Sequence, residues 1–112
     1  MPRGDFLGEF EQILLLALLR LKDEAYGIAI RDEIEARTGR EVAIGSVYSA
    51  LDRMERAGFV ASRLGDPTSE RGGRAKRFYA LERPGVVALH RSRVALSNLW
   101  DGVELDPEVW PS

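Results

Sequence analysis

Apolar positions recur at helical spacing along the first 40 residues and predict two helices. Residues 7–21 are apolar at nearly every position from Ile13 onward, and a helix that is apolar on all sides is covered on more than one of them. In a chain of 112 residues, we expect a second subunit to supply part of that cover. The second helix is predicted over residues 25–38, with Gly39 placed to end it.

The third predicted helix covers residues 44–57 and has one apolar and one polar face. Its apolar positions recur at spacings of four and three, and they are Val47, Leu51 and Met54. The opposite face carries small and basic side chains, namely Ser46, Ser49, Ala50, Arg53 and Arg56. Ala43 stands where Ser, Thr or Asp would cap the first turn, and Gly58 is placed to end the helix.

A β-hairpin and a fourth helix are predicted in the second half of the chain. Residues 59–64 and 74–81 are β-compatible, and the loop between them is rich in Gly, Pro, Ser and Thr. The fourth helix is predicted over residues 84–103, with a proline at its start. Its apolar positions form an approximately heptad stripe of Val86, Leu89, Leu96, Trp100 and Val103.

Three helices, a hairpin and a further helix define a mainly α fold, the winged helix-turn-helix closed by a C-terminal helix. We expect residues 1–82 to form a DNA-binding domain, residues 83–105 a dimerisation helix, and residues 106–112 a loose tail. The predicted homodimer interface combines the over-apolar first and fourth helices, and its residues are Phe10, Leu14, Leu89, Leu96, Trp100 and Val103.

The distribution of charge supports double-stranded DNA as the partner, although the formal net charge is −2. Residues 42–99 carry ten basic and five acidic side chains, whereas the flanking segments are acidic. Fourteen of the 16 basic residues are arginine, which binds phosphate and guanine in bidentate geometry. The positive charge is therefore concentrated in the elements that a winged helix presents to DNA.

The predicted DNA contacts come from the third helix, which would enter the major groove, and from the hairpin, which would neutralise phosphates. They are Gly45, Ser46, Tyr48, Ser49, Arg53, Arg71, Arg74, Lys76 and Arg77. Two interpretations of Tyr48 stay open: its hydroxyl bonds a phosphate, or its ring packs against the second helix. For Gly27, early in that helix, we favour close helix packing over a functional role.

Enzymatic, metal-binding and membrane functions find little support in the residues. The chain has no cysteine and one histidine, His90, and no carboxylate pair, phosphate loop or metal-ligand spacing stands out, so we expect no cofactor. The apolar run over residues 13–19 is shorter than the roughly 20 residues that span a bilayer. Glu9 and Glu11 precede it, where a signal peptide would be positive. We expect a soluble, cytoplasmic protein with no membrane partner.

Two segments carry a resemblance to the PadR family of transcriptional regulators: GSVYSALDRMERAGFV at residues 45–60 and RGGRAKRFYAL at residues 71–81. GEFE at residues 8–11, AYGIAI at residues 25–30 and PG at residues 84–85 add to it. The resemblance covers residues 7–90. It implies a homodimer that binds a roughly palindromic operator, usually represses, and in some members releases DNA when a small aromatic molecule or a protein signal binds. Glu82 departs from the family pattern, which often has a threonine at this position as the cap of the last helix.

Two alternatives remain open at the level of sequence. The acidic isoelectric point, near 5.5, is also compatible with a winged helix that binds another protein and has no DNA target. Trp100 either packs a subunit interface or stacks on a planar aromatic effector.

Overall fold

A computed structural model of the chain describes residues 6–66 and 75–109. The described residues form a helix-rich fold with one antiparallel hairpin, in the order α1 (Glu9–Leu21), α2 (Gly27–Thr38), α3 (Ile44–Arg56), β1 (Val60–Leu64), β2 (Arg77–Leu81) and α4 (Arg83–Trp100). Short 3-10 turns follow α1 at Lys22–Glu24 and lie near the C-terminus at Pro107–Val109. The predicted mainly α winged helix is confirmed, and every predicted helix and strand is present, with its ends shifted by at most three residues.

The core lies among the first three helices and the start of β1. Its fully buried side chains are Leu14, Leu15, Ile30, Ile34, Val47, Leu51, Met54 and Val60. The predicted apolar face of α3 is therefore confirmed. Two other predictions are wrong: Leu14, expected at the dimer interface, is fully buried within the subunit, and Ala50, expected on the polar face of α3, is also 0% exposed.

Two glycines end their helices as the sequence predicted. Gly39 closes α2 with a φ of 73°, and Gly58 follows the C-cap of α3 with a φ of 82°. A left-handed backbone at a helix end carries no steric penalty for glycine, which lacks a Cβ atom. The expected lack of a side-chain cap on α3 is also found, since Ala43 is its N-cap residue.

The hairpin is attached to the helical core through the short segment before α2. β1 and β2 pair so that Ser62 faces Tyr79 and Arg63 faces Phe78. The Tyr79 N–H donates to the Ala25 carbonyl over 2.9 Å, and Tyr26 forms an isolated bridge with Phe78. The chain before α2 thus adds a third, minimal strand, which fixes the base of the hairpin against the helices.

The segment before α1 is anchored to α4 by a buried polar side chain. Ser92 is 4% exposed, and its hydroxyl oxygen accepts a hydrogen bond from the Leu7 N–H over 3.3 Å. The Leu7 carbonyl accepts a hydrogen bond from the Gln12 amide over 3.0 Å. Gly8, at the N-cap of α1, donates its N–H to Glu11 over 2.9 Å. These bonds connect the start of α1 to the middle of α4.

Across the described part of the chain, no helix is long and apolar enough to cross a membrane.

Candidate nucleic-acid interface

Four side chains or backbone positions of α3 form one exposed surface, which we call the reading face: Gly45, Ser46, Ser49 and Arg53. All four are exposed, and they line a shallow depression of about 590 Å³. Within residues 6–66 and 75–109, the side chain of Arg53 forms no ion pair or hydrogen bond, so its guanidinium is available to an external partner. The reading face therefore presents two hydroxyls, one cation and a bare backbone position on the same side of α3.

Phe10 borders the reading face. Its ring is half-buried, packs against the core, and completes the same depression together with Ala43. The sequence analysis assigned Phe10 to the dimer interface. The structure places it beside the N-terminal part of α3, apart from the groove that Leu89, Leu96 and Trp100 line.

Tyr48 packs on α2 through Gly27. A Cβ atom on Gly27 would overlap the phenol ring of Tyr48, so only glycine lets the ring lie this close to the α2 backbone. The packing interpretation of both residues is confirmed. The ring is still 46% exposed, and a phosphate contact by its hydroxyl stays a prediction.

The hairpin carries its cations in defined positions, and we call it the wing. The Arg77 Nη1 donates to the Ser62 hydroxyl over 3.0 Å, and that hydroxyl donates to the Glu55 carboxylate over 2.8 Å. This chain of bonds holds Arg77 beside the C-terminal part of α3. The Lys76 ammonium lies 4.2 Å from the centre of the Tyr26 ring, a cation–π contact.

The remaining cations of the hairpin are two arginines outside the described part of the chain and one, Arg63, that the sequence pattern does not indicate. Arg71 and Arg74 fall within residues 67–74, which are not described. Arg63 is exposed, and its guanidinium lies 4.9 Å from the centre of the Phe78 ring. Since Arg63 and Phe78 face each other across the hairpin, only the strand register reveals this contact.

Burial raises the pKa of the Tyr79 phenol, and the nearby Arg77 opposes that rise only in part. Tyr79 therefore stays neutral at physiological pH. The charge of the wing beside it comes from the arginine and lysine side chains.

A second surface, which we call the apolar groove, lies between α1 and α4. It encloses about 690 Å³, and its apolar lining residues are Leu16, Leu19, Val86, Leu89, Leu96 and Trp100. Apart from Leu89, these side chains are about half exposed in the single subunit. Three of the predicted interface residues thus lie together here. Val103, also predicted, is exposed just beyond the end of α4.

His90 also lines the apolar groove. Among the residues that the structure describes, no cluster of three or more His, Asp and Glu side chains could hold a metal ion.

Several solved structures with a similar fold are transcriptional regulators. A regulator from Clostridium thermocellum superposes with a TM-score of 0.67 at 20% identity, over 81% of this chain and 85% of that one. A PadR family regulator from hypervirulent Clostridium difficile gives 0.64 at 23% identity, over 82% and 95% of the two chains. A chain in the complex structure of hsRosR-S1 gives 0.66 at 28% identity, over 87% and 79%. A comparison with curated protein sequences gives no match.

The winged helix, the reading face of α3 and the basic wing define a DNA-binding transcriptional regulator. The model of the transcriptional regulator PadR-like family matches residues 15–91, most of the chain. The protein therefore belongs to the PadR-like family, whose members are typically DNA-binding proteins without enzymatic activity.

Proposed function

We propose that the protein is a homodimeric repressor that binds a palindromic operator, with α3 of each subunit in the major groove and each wing on the adjacent backbone. The observation that carries this proposal is the reading face. Its small residues and Arg53 lie on one exposed side of α3, and the wing cation Arg77 is fixed next to the same helix.

The reading face suits close approach and moderate discrimination between bases. Gly45 lets the α3 backbone come near the base edges, and the Ser46 and Ser49 hydroxyls both donate and accept hydrogen bonds. Arg53 can bond a guanine at O6 and N7 or bind a phosphate. Because serine pairs with any base, one copy of α3 supplies little specificity, and affinity depends on the wing and on a second subunit.

The apolar groove is the surface on which we expect the second subunit to pack. Five apolar residues of α1 and α4 that line the groove are about half exposed in the described part of one subunit, and their burial by a second copy is favourable. A two-fold interface uses the same surface on both subunits. Two copies of α3 related in this way read inverted half-sites about 34 Å apart, one turn of DNA.

Footprinting on the DNA upstream of the protein's own gene tests the function. The purified protein is expected to protect two half-sites separated by one helical turn, and a reporter driven by that DNA is expected to be more active in cells that lack the protein. Absence of any protected site, together with capture of a defined protein partner, would favour a winged helix for protein binding instead.

A variant with Lys76→Ala and Arg77→Ala is expected to bind the protected fragment more weakly. If each side chain neutralises one phosphate in both subunits of the dimer, the slope of log K against log salt falls by about 3.6. Titrations at several salt concentrations measure this slope. The matched control is Arg20→Ala with Arg37→Ala, which removes the same charge from two residues that pair with Glu33. Equal slopes for the wing variant and the natural chain would remove the wing from the mechanism.

We further propose that a planar aromatic molecule binds beside Trp100 and lowers DNA affinity. The indole is 54% exposed in the single subunit and lies in the largely apolar groove of the proposed dimer contact, so a planar ligand would stack on it between the two subunits. Such ligands are expected to quench tryptophan fluorescence in the natural chain. In a Trp100→Phe variant, which keeps Trp110, the quenching should disappear. Quenching of the same size in both proteins would contradict binding at Trp100.

A further inference from the structure

The surface next to the reading face continues into the loop between α2 and α3. A smaller depression, of about 290 Å³, is lined by Phe10, Ala43 and Ser46, which it shares with the reading-face depression, and by Arg40, Glu41 and Val42. Arg40 therefore lies at the edge of the DNA-reading surface. It borders the N-terminal end of α3, whereas the wing is attached through Glu55 near the C-terminal end.

The backbone around Arg40 is fixed by hydrogen bonds from both sides. The Arg40 N–H donates to the Thr38 hydroxyl over 3.1 Å, and that hydroxyl donates to the Ile34 carbonyl over 2.7 Å. The Val42 N–H donates to the Glu35 carboxylate over 2.9 Å. The loop thus holds the Cα atom of Arg40 in a defined position relative to α3.

The side chain of Arg40, in contrast, is held by one exposed ion pair. Its Nη1 lies 2.9 Å from the Glu9 Oε1, with the two side chains 48% and 80% exposed. A pair in this environment contributes little to folding stability. A phosphate group can therefore replace the carboxylate at little cost, because its anionic oxygens accept the same charge-assisted hydrogen bond from the guanidinium.

We propose that Arg40 is a DNA phosphate contact and that Glu9 is its partner only in the absence of DNA. This rests on the proposed function, because it assumes that α3 lies in the major groove. A helix in that groove runs between two phosphate backbones, and contacts to both fix its orientation. The wing supplies cations at one end of α3, and Arg40 supplies the cation at the other.

Arg40 and Glu9 are expected to affect DNA binding in opposite directions. Arg40→Ala should weaken binding about tenfold and reduce the salt slope of the dimer by about 1.8, the value for one phosphate in each subunit. Glu9→Gln should tighten binding, since it releases Arg40 and removes a carboxylate that repels phosphate. Because phosphates carry no sequence information, Arg40→Ala should weaken binding to the protected fragment and to a random duplex of equal length by the same factor.

The experiment is a set of salt-dependent titrations of full-length variants, with Arg37→Ala as the control that removes an arginine paired elsewhere. Urea unfolding of each variant checks the fold. If the pair is purely structural, Arg40→Ala and Glu9→Gln both lower the unfolding midpoint and neither changes the slope, which overturns the proposal. The proposal is also overturned if the salt slope of Arg40→Ala equals that of the natural chain. A natural chain that binds no DNA would instead remove the proposed function, and this inference with it.

Discussion

A Leu96→Asp variant is expected to sediment as a monomer at concentrations at which the natural chain sediments as a dimer. Leu96 lines the apolar groove and is 50% exposed in the single subunit, so the substitution leaves the core intact. A carboxylate buried in this largely apolar interface loses most of its hydration. Burying the carboxylate costs about 3 kcal/mol of binding free energy, which raises the dimer dissociation constant roughly 100-fold.

The matched control for this variant is Ile28→Asp. Ile28 lies on α2 with nearly the same exposure, 49%, and it does not line the apolar groove. This variant should remain dimeric under the same conditions. Loss of the dimer in both variants would indicate a general effect of added charge, and an unchanged dimer in Leu96→Asp would place the subunit interface elsewhere.

The dimer result also predicts the behaviour on DNA. A Leu96→Asp monomer keeps its reading face and wing, but it binds only one half-site. Footprinting should therefore show weak protection of separate half-sites in place of joint protection of both.

A Gly85→Ala variant is expected to be destabilised by about 2 kcal/mol, an overpacking cost. Gly85 is buried in the first turn of α4, where a Cβ atom would overlap the Phe59 carbonyl and lie 3.2 Å from the Phe59 Cα. Since these are backbone atoms, no side-chain rotation relieves the overlap, and α4 must move away from β1. Urea unfolding at fixed protein concentration measures the change.

Gly45→Ala is the control for that measurement. Gly45 is also in the first turn of a helix, but a Cβ atom there would meet no atom within 4 Å. Alanine then stabilises the helix by about 0.5–1 kcal/mol, because it restricts the unfolded chain more than glycine does. If both alanine variants changed stability in the same direction, the close approach of α4 to Phe59 would not account for the effect of Gly85→Ala.

The helices and the hairpin could be predicted from the sequence because their periodicity and end signals are local. The errors occurred where local pattern is ambiguous. From Ile13 onward α1 is apolar on every side, so periodicity could not show that Leu14 faces the core and Leu16 the groove. Ala50 was placed on the polar face of α3 because alanine is compatible with either face.

The candidate site was predictable only where one element carries it. The reading face follows from the spacing of residues along α3, and the structure brings those residues to one surface. Arg40 was not identified, because its relevance depends on contact with Glu9, 31 residues earlier, and on its position beside Ser46. Such neighbours arise from tertiary packing and leave no periodic pattern in the sequence.

In the proposed dimer, the hydrogen bond between Ser92 and Leu7 would couple α4 to the distance between the two copies of α3. It connects the middle of α4 to Leu7, just before α1, and Phe10, in the first turn of α1, borders the reading face. A rotation of one α4 against its copy would therefore carry the start of α1, and α3 with it, across the DNA. In the proposed dimer, a change in how the two copies of α4 pack would therefore change which half-site spacing the two copies of α3 can bind.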